Sequence, residues 1–262
     1  MLMNNRVKQK LREGAPVFGL FASIPSALMV EMVGCSGYDF IIIDLEHVCI
    51  NPETLEHMIR AAELTGLTAM VRVPEPNPKV ILRALDAGAL GIVVPHVETK
   101  EQAAGIVRAC KYGPDGTRSL NSGRAGMFGK HDLAAYIRRA NEQIMVVPMI
   151  ESREGVSQAE QIAAVPGIDM VLEGAADLSQ SCGVPWQTGA PVVQEGLRQV
   201  QAACRKQGVP YCAIPRRPEE YTYWRELGVK AFVLGDERGV SFRALRAHLH
   251  SFAPQQPEDE RR

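Results

Sequence analysis

The segment "IIIDLEHVCI", residues 41–50, sets Asp44, Glu46 and His47 directly behind an apolar run. An imidazole titrates near neutrality unaided, and Asp44 lies in the same turn to orient it, so His47 is the best general acid/base candidate. A structural histidine with a satisfied ring fits the same spacing. Arg72, in "MVRVP", carries a planar fork able to clamp a carboxylate or a developing oxyanion in bidentate fashion. A rim ion pair with Glu46 or Glu75 is its competing role. Glu151, in "MIESREG", and Asp177, in "GAADLS", supply two carboxylates with no Cys or His cluster at zinc-like spacing. That donor set suits a hard divalent cation completed by water and substrate oxygens, with Mg²⁺ the default and Mn²⁺, Co²⁺ or Ca²⁺ compatible. Each also reads as a cap, Glu151 for a helix starting at "SREG" and Asp177 for the turn at "DLS". Gly174, Ala175 and Ala176 are small enough to let backbone amides at a helix start approach a ligand carboxylate.

Groups so far apart in sequence need a scaffold that gathers them. Eight short apolar runs, most rich in β-branched residues, alternate with segments of helical spacing: "VFGLFA", "DFIIID", "TAMVRV", "GIVVPH", "IMVVPMIE", "DMVLEG", "VPYCAIP" and "AFVLGD". Eight such units predict a single-domain α/β fold, the (β/α)₈ TIM barrel, whose reacting groups sit at the C-terminal ends of the strands. Asp44 and His47 follow the second run, Arg72 ends the third, His96 the fourth and Glu151 the fifth; Asp177, Arg216 and Asp236 follow the last three. "NPETLEHMIRAAELTG" predicts a helix capped by Asn51, opened by Pro52 and closed at Gly66. "KVILRALDAGA" and "RRPEEYTYWRELG" repeat that logic. His57 and His131 read as ordinary helical or loop residues. The stretch "KYGPDGTRSLNSGRAGMFGKHDL" has too many Gly, Ser and Asn for a helix, and a loop of that length is usually functional or interfacial.

Other chemistries lack their residues. No lysine stands at a strand end of the mouth, so a Schiff-base mechanism is less favoured than a metal one. No GxSxG, P-loop or GxGxxG motif follows a strand. The chain has 262 residues, 46% hydrophobic, with net charge -1 and no basic stripe for nucleic acid. Six scattered cysteines read as free thiols of a cytoplasmic protein, and the charged start "MLMNNRVKQKLREG" reads as neither signal peptide nor membrane span. The barrel is expected over 1–253 and a polar, frayed tail over 254–262.

"YDFIIIDLEH", "MVRVP", "LDAGALGIVVPHVET", "KYGPDGTRS", "IESREG" and "GAADLS" resemble, in order and spacing, the HpcH/HpaI family of class II, metal-dependent aldolases, from about Val17 to Leu234. The resemblance implies a homo-oligomer, from dimer to hexamer, often with an exchanged C-terminal helix. It implies a divalent ion on Glu151 and Asp177, chelated by a 2-oxo acid, with Arg72 at the enolate oxygen and His47 with Asp44 handling protons. It further implies a substrate carboxylate on the amides of 174–177 and a role for Asp86 at a neighbouring subunit's site.

Several positions depart from that pattern: "GAADLS" for "GPADLS", Glu173 for an apolar residue, Met149 for a glutamine and Phe21 for a tryptophan. "RSLNSGRAG" replaces the continuation after Arg118, and Arg216, Asp236 and Arg238 add charge beside the last strands. These changes resemble a branch of the family that makes citrate for siderophores of the staphyloferrin B type, joining oxaloacetate to acetyl-CoA; Arg216 or Arg124 would suit a dicarboxylate better than pyruvate. Two other readings stand beside it, a pyruvate aldolase cleaving a 4-hydroxy-2-oxo acid and a non-catalytic barrel that binds a 2-oxo acid.

Overall fold

Each apolar run becomes a strand: β1 Val17–Ala22, β2 Phe40–Asp44, β3 Thr68–Arg72, β4 Gly91–Val94, β5 Met145–Ile150, β6 Val171–Glu173, β7 Tyr211–Ala213 and β8 Ala231–Asp236. They close in sequence order into a parallel barrel, β1 pairing with both β2 and β8. This is the expected (β/α)₈ architecture, in a computed structural model that describes residues 4–130 and 132–253. The tail expected at 254–262 and His131 lie outside the described residues.

The strands are apolar on both faces because both are covered. Every residue of β2, β3 and β5 is buried. Phe40, Ile42, Met70, Val93 and Val147 fill the barrel interior, while Ile41, Ile43, Val71 and Val146 pack outward against helices. Val7, on the first helix, joins the interior cluster and so plugs the floor.

The helices are α1 Arg6–Arg12, α2 Ala27–Cys35, α3 Pro52–Thr65, α4 Pro78–Ala87, α5 Lys100–Cys110, α6 Leu133–Gln143, α7 Arg153–Ser157, α8 Ala159–Ala163, α9 Ala175–Ser181, α10 Pro191–Gln207, α11 Pro218–Glu226 and α12 Glu237–Phe252. Local chemistry sets their limits. Asn51 caps α3 by accepting from the Thr54 N–H, Pro52 opens it, and Gly66 ends it at φ 73°, a conformation that costs glycine little. The Gly-rich stretch after α5 is mostly irregular, as expected, but holds a short 3₁₀ run at Arg124–Gly129. On α12, Phe242, Leu245, Leu249 and Phe252 form an exposed apolar stripe. No described helix is long and apolar enough to cross a membrane.

Candidate active site

Strand register brings the first two groups together, since Asp44 and Arg72 are direct partners at the ends of β2 and β3. The Arg72 fork donates to Asp44 twice, Nε to Oδ1 at 2.9 Å and Nη2 to Oδ2 at 2.7 Å. Its Nη1 lies 3.1 Å from Glu46 Oε2, and the guanidinium stands over the Phe21 ring at 4.6 Å. Arg72 is therefore both a rim ion pair and a cavity wall. Asp44 does not orient the His47 ring as expected. Its oxygens hold Arg72 and the backbone N–H groups of Glu46 and His47, whereas His47 Nε2 lies 3.7 Å from Glu46 Oε2. Two consecutive strands in register place the stronger partner, a buried guanidinium, closer to Asp44 than the exposed imidazole.

A cavity of about 450 Å³ opens at this end of the barrel and is lined by His47, Arg72, Glu151, Asp177 and Arg216 together with residues 174–176. Glu151 is buried, and its Oε1 accepts the His96 N–H at 2.7 Å, with His96 Nδ1 3.6 Å away. It does not cap the following helix. Ser152 does, accepting from the Gly155 N–H. Burial pushes the Glu151 carboxyl up to about 6, the His96 N–H opposing the shift and the charge of Asp177 adding to it. The charge of Asp177 acting on a buried Glu151 across the cavity marks an oxygen donor pair whose repulsion a divalent cation would relieve. Among the described residues no three His, Cys, Asp or Glu side chains cluster as a metal site. Water and substrate would thus complete the coordination of a cation held by this pair, and the donors present fit one.

Gly174 marks where backbone and carboxylate come closest. A Cβ there would meet Glu151 Oε2 at 2.2 Å and Glu151 Cβ at 2.4 Å. Helix α9 starts beside it with no side-chain cap, which leaves its first amides open toward the cavity side of Ala175 and Ala176. Arg216 reaches the same cavity from β7, its Nη1 3.9 Å from Glu173 Oε1. Glu173 is buried and accepts the Tyr211 hydroxyl at 2.5 Å. Burial raises its proton affinity, against which the Tyr211 hydrogen bond and the charge of Arg216 act.

Two expected cations lie elsewhere. Arg124 pairs through both terminal nitrogens with Glu63, near the end of α3, and reaches the Ala87 carbonyl at 3.4 Å. The C-terminal ends of α3 and α4 sit at the floor of the barrel, so Arg124 braces helices and does not face this chain's cavity. Arg238 lies 3.7 Å from Asp236, the residue that caps α12, and neither lines the cavity. Asp86 pairs with Arg118 at 2.8 Å. Sequence reasoning missed Gln180 and Trp186, which do line the cavity. Gln180 follows Asp177 by one helical turn, and Trp186 follows Pro185 in a turn, signals that were present but unremarkable alone.

A parallel eightfold barrel with an arginine, an imidazole and paired carboxylates at its mouth defines an enzyme of the aldolase superfamily. Residues 17–228 match the HpcH/HpaI aldolase/citrate lyase family, to which this chain belongs. It is similar to the crystal structure of the citrate synthase SbnG, with 45% identity and a TM-score of 0.87 over 94% of this chain and 96% of that one. It is 31% identical to the hydroxypyruvate/pyruvate aldolase of Delftia acidovorans, across 98% of this chain and 95% of the relative. The 4-hydroxy-2-oxovalerate aldolase of Rhodococcus jostii is 36% identical across 78% of this chain and 81% of its own length.

Proposed function

We propose that this enzyme condenses oxaloacetate with acetyl-CoA to give citrate and free coenzyme A, using a divalent cation, with Mg²⁺ the first candidate, held by Glu151 and Asp177. The observation that carries the reading is the 45% identity to a citrate synthase, against 31% and 36% to the two aldolases. Arg216 at the cavity edge supports it, because a second carboxylate distinguishes oxaloacetate from pyruvate.

When bound, the cation supplies Lewis-acid polarisation of the 2-oxo group. Arg72, immobilised by Asp44 and Glu46, donates to the oxygen on which negative charge develops. The open amides at the start of α9 take one substrate carboxylate, and Arg216 takes the other. His47, exposed at the cavity and flanked by Glu46, removes a proton from the acetyl methyl group. The methyl carbon then bonds to the keto carbon, whose oxygen is protonated, and water cleaves the thioester. The same residues would serve an aldolase releasing pyruvate from a 4-hydroxy-2-oxo acid. A paired assay decides: citrate and free thiol from oxaloacetate plus acetyl-CoA with Mg²⁺, none with EDTA, supports condensation, whereas pyruvate release without citrate assigns the aldolase.

The reading extends to context. The six cysteines are free, which fits a cytoplasmic enzyme supplying citrate for siderophore assembly. The exposed apolar stripe of α12 supports a homo-oligomer in which that helix packs on a second copy of the chain.

A further inference from the structure

Trp186 is the third residue of a turn closed by the Gln187 N–H on the Val184 carbonyl at 3.0 Å. Pro185 precedes it, and its own φ is 64°. A positive φ after proline at this position is the type II arrangement, which favours glycine or asparagine. A bulky side chain there is strained, and the strain persists only because neighbours impose it. Ser179, fully buried, accepts the Trp186 N–H at 2.9 Å while donating its hydroxyl to the Ala176 carbonyl at 2.5 Å. The fold gains little packing in return, because Trp186 is 83% exposed. Trp224, the other tryptophan, is buried against Tyr211.

The exposed indole nevertheless stands on the cavity that holds Glu151, Asp177 and Arg216. That cavity exceeds what one substrate needs. Even at the ~30 Å³ that a water molecule occupies for each of its nine non-hydrogen atoms, oxaloacetate would leave more than a third of the 450 Å³ free. Away from Arg72 and Phe21 the lining carries Pro185, Trp186 and Ile214, apolar groups unsuited to a second carboxylate.

We infer that Trp186 is the wall against which the pantetheine arm of the acyl donor packs, an inference that rests on the condensation proposed above. The acetyl group has to reach the keto carbon beside the carboxylate pair, so the arm behind it must leave by the open side of the cavity. A chain of methylenes and amides matches an indole, whose face takes the methylenes and whose N–H can donate to an amide carbonyl. Removing roughly 60 Å² of such contact, at about 25 cal/mol per Å², corresponds to about a tenfold loss of affinity.

The test uses the whole protein. Because Trp224 is buried, Trp186 dominates any emission change on ligand addition, and titration in EDTA separates binding from turnover. Pantetheine and coenzyme A should each alter wild-type emission, and neither should do so in Trp186→Gly. With oxaloacetate and Mg²⁺, Trp186→Gly should raise KM for acetyl-CoA about tenfold while KM for oxaloacetate stays within about twofold. Glycine relieves the positive φ, so its Tm should equal or exceed that of the parent, and Trp186→Phe should recover most of the acetyl-CoA KM. Unaltered emission with pantetheine, or a parallel rise in both KM values with a lowered Tm, overturns the inference. A response to 3′,5′-ADP without one to pantetheine overturns it too, by moving the contact to the nucleotide end. The citrate assay settles the reaction and the titration settles the wall, so the two fail separately.

Discussion

Asp44 and Arg72 face each other at the last rung of β2 and β3, joined by two hydrogen bonds of 2.9 and 2.7 Å with both side chains almost wholly buried. The pair fixes the guanidinium before any substrate arrives. In the proposed reaction its remaining N–H groups would therefore need no reorganisation when charge develops on a substrate oxygen.

Arg72→Lys keeps the charge but loses the fork and the double bond to Asp44. Steady-state kinetics should show kcat lower by roughly 10²- to 10³-fold, as for loss of an oxyanion donor. A kcat within a few-fold of the parent would remove Arg72 from the reaction. Arg72→Ala should also lower stability by about 3–5 kcal/mol, because it leaves Asp44 buried and unpaired; denaturant unfolding measures this.

Glu151 gives the cavity a pH response. Its folded pKa of about 6 exceeds the ordinary 4.5, so the metal-free fold favours the protonated form. Its contribution to stability is complete below about 4.5 and is lost as pH rises through about 6, a change of about 2 kcal/mol. Metal binding runs the other way, since only the carboxylate coordinates, and affinity for Mg²⁺ or Mn²⁺ should fall about tenfold per pH unit below 6. Calorimetric titration at pH 5, 6 and 7.5 checks this, and in Glu151→Gln both binding and turnover should disappear. Full turnover by that variant would remove Glu151 as a ligand.

His47→Ala should lower kcat by roughly 10²- to 10⁴-fold, the span for loss of a general base. The alternative location for the base is His96, whose ring lies 3.7 Å from Glu46 and 3.6 Å from Glu151. Comparing His47→Ala with His96→Ala at saturating Mg²⁺ separates them: only loss of the base should lower kcat through that full span, the other variant staying within a few-fold of the parent.

Gly174→Ala adds one methyl where Glu151 Cβ is only 2.4 Å away. The carboxylate must move, so metal affinity should drop at least tenfold. Retained affinity, read by the same calorimetry, would show that the loop yields instead.

Leu245→Glu and Phe242→Glu place charge on the apolar face of α12. Sedimentation should give an oligomer for the parent and a 28.7 kDa monomer for the double variant. A parent that sediments as a monomer would leave the stripe uncovered and refute the assembly.

The barrel was legible because its signals are local and repeated. Buried parallel strands must be apolar on both faces, and caps such as Asn51 and Gly66 act within a few residues. Residues at strand ends follow from the fold, which is how Asp44, Arg72 and Glu151 could be placed. Partner choice was less legible, because it depends on register and burial. Asp44 precedes His47 by three residues yet binds Arg72, a cross-strand neighbour. Arg124 belongs to a long segment whose path no local pattern dictates, and it came to rest on Glu63 at the floor. Trp186 escaped notice because strain in a turn shows only in the backbone angle.

The Arg124–Glu63 brace also has a practical side. It joins α3, α4 and the long segment at one end of the barrel while all the proposed chemistry occupies the other. An engineer can therefore rework the floor for heat tolerance, by proline insertion or new crosslinks around residues 119–130, keeping Arg118 on Asp86 because the resemblance gives Asp86 a role at a neighbouring subunit's site, with turnover as an independent check that the two ends are separable.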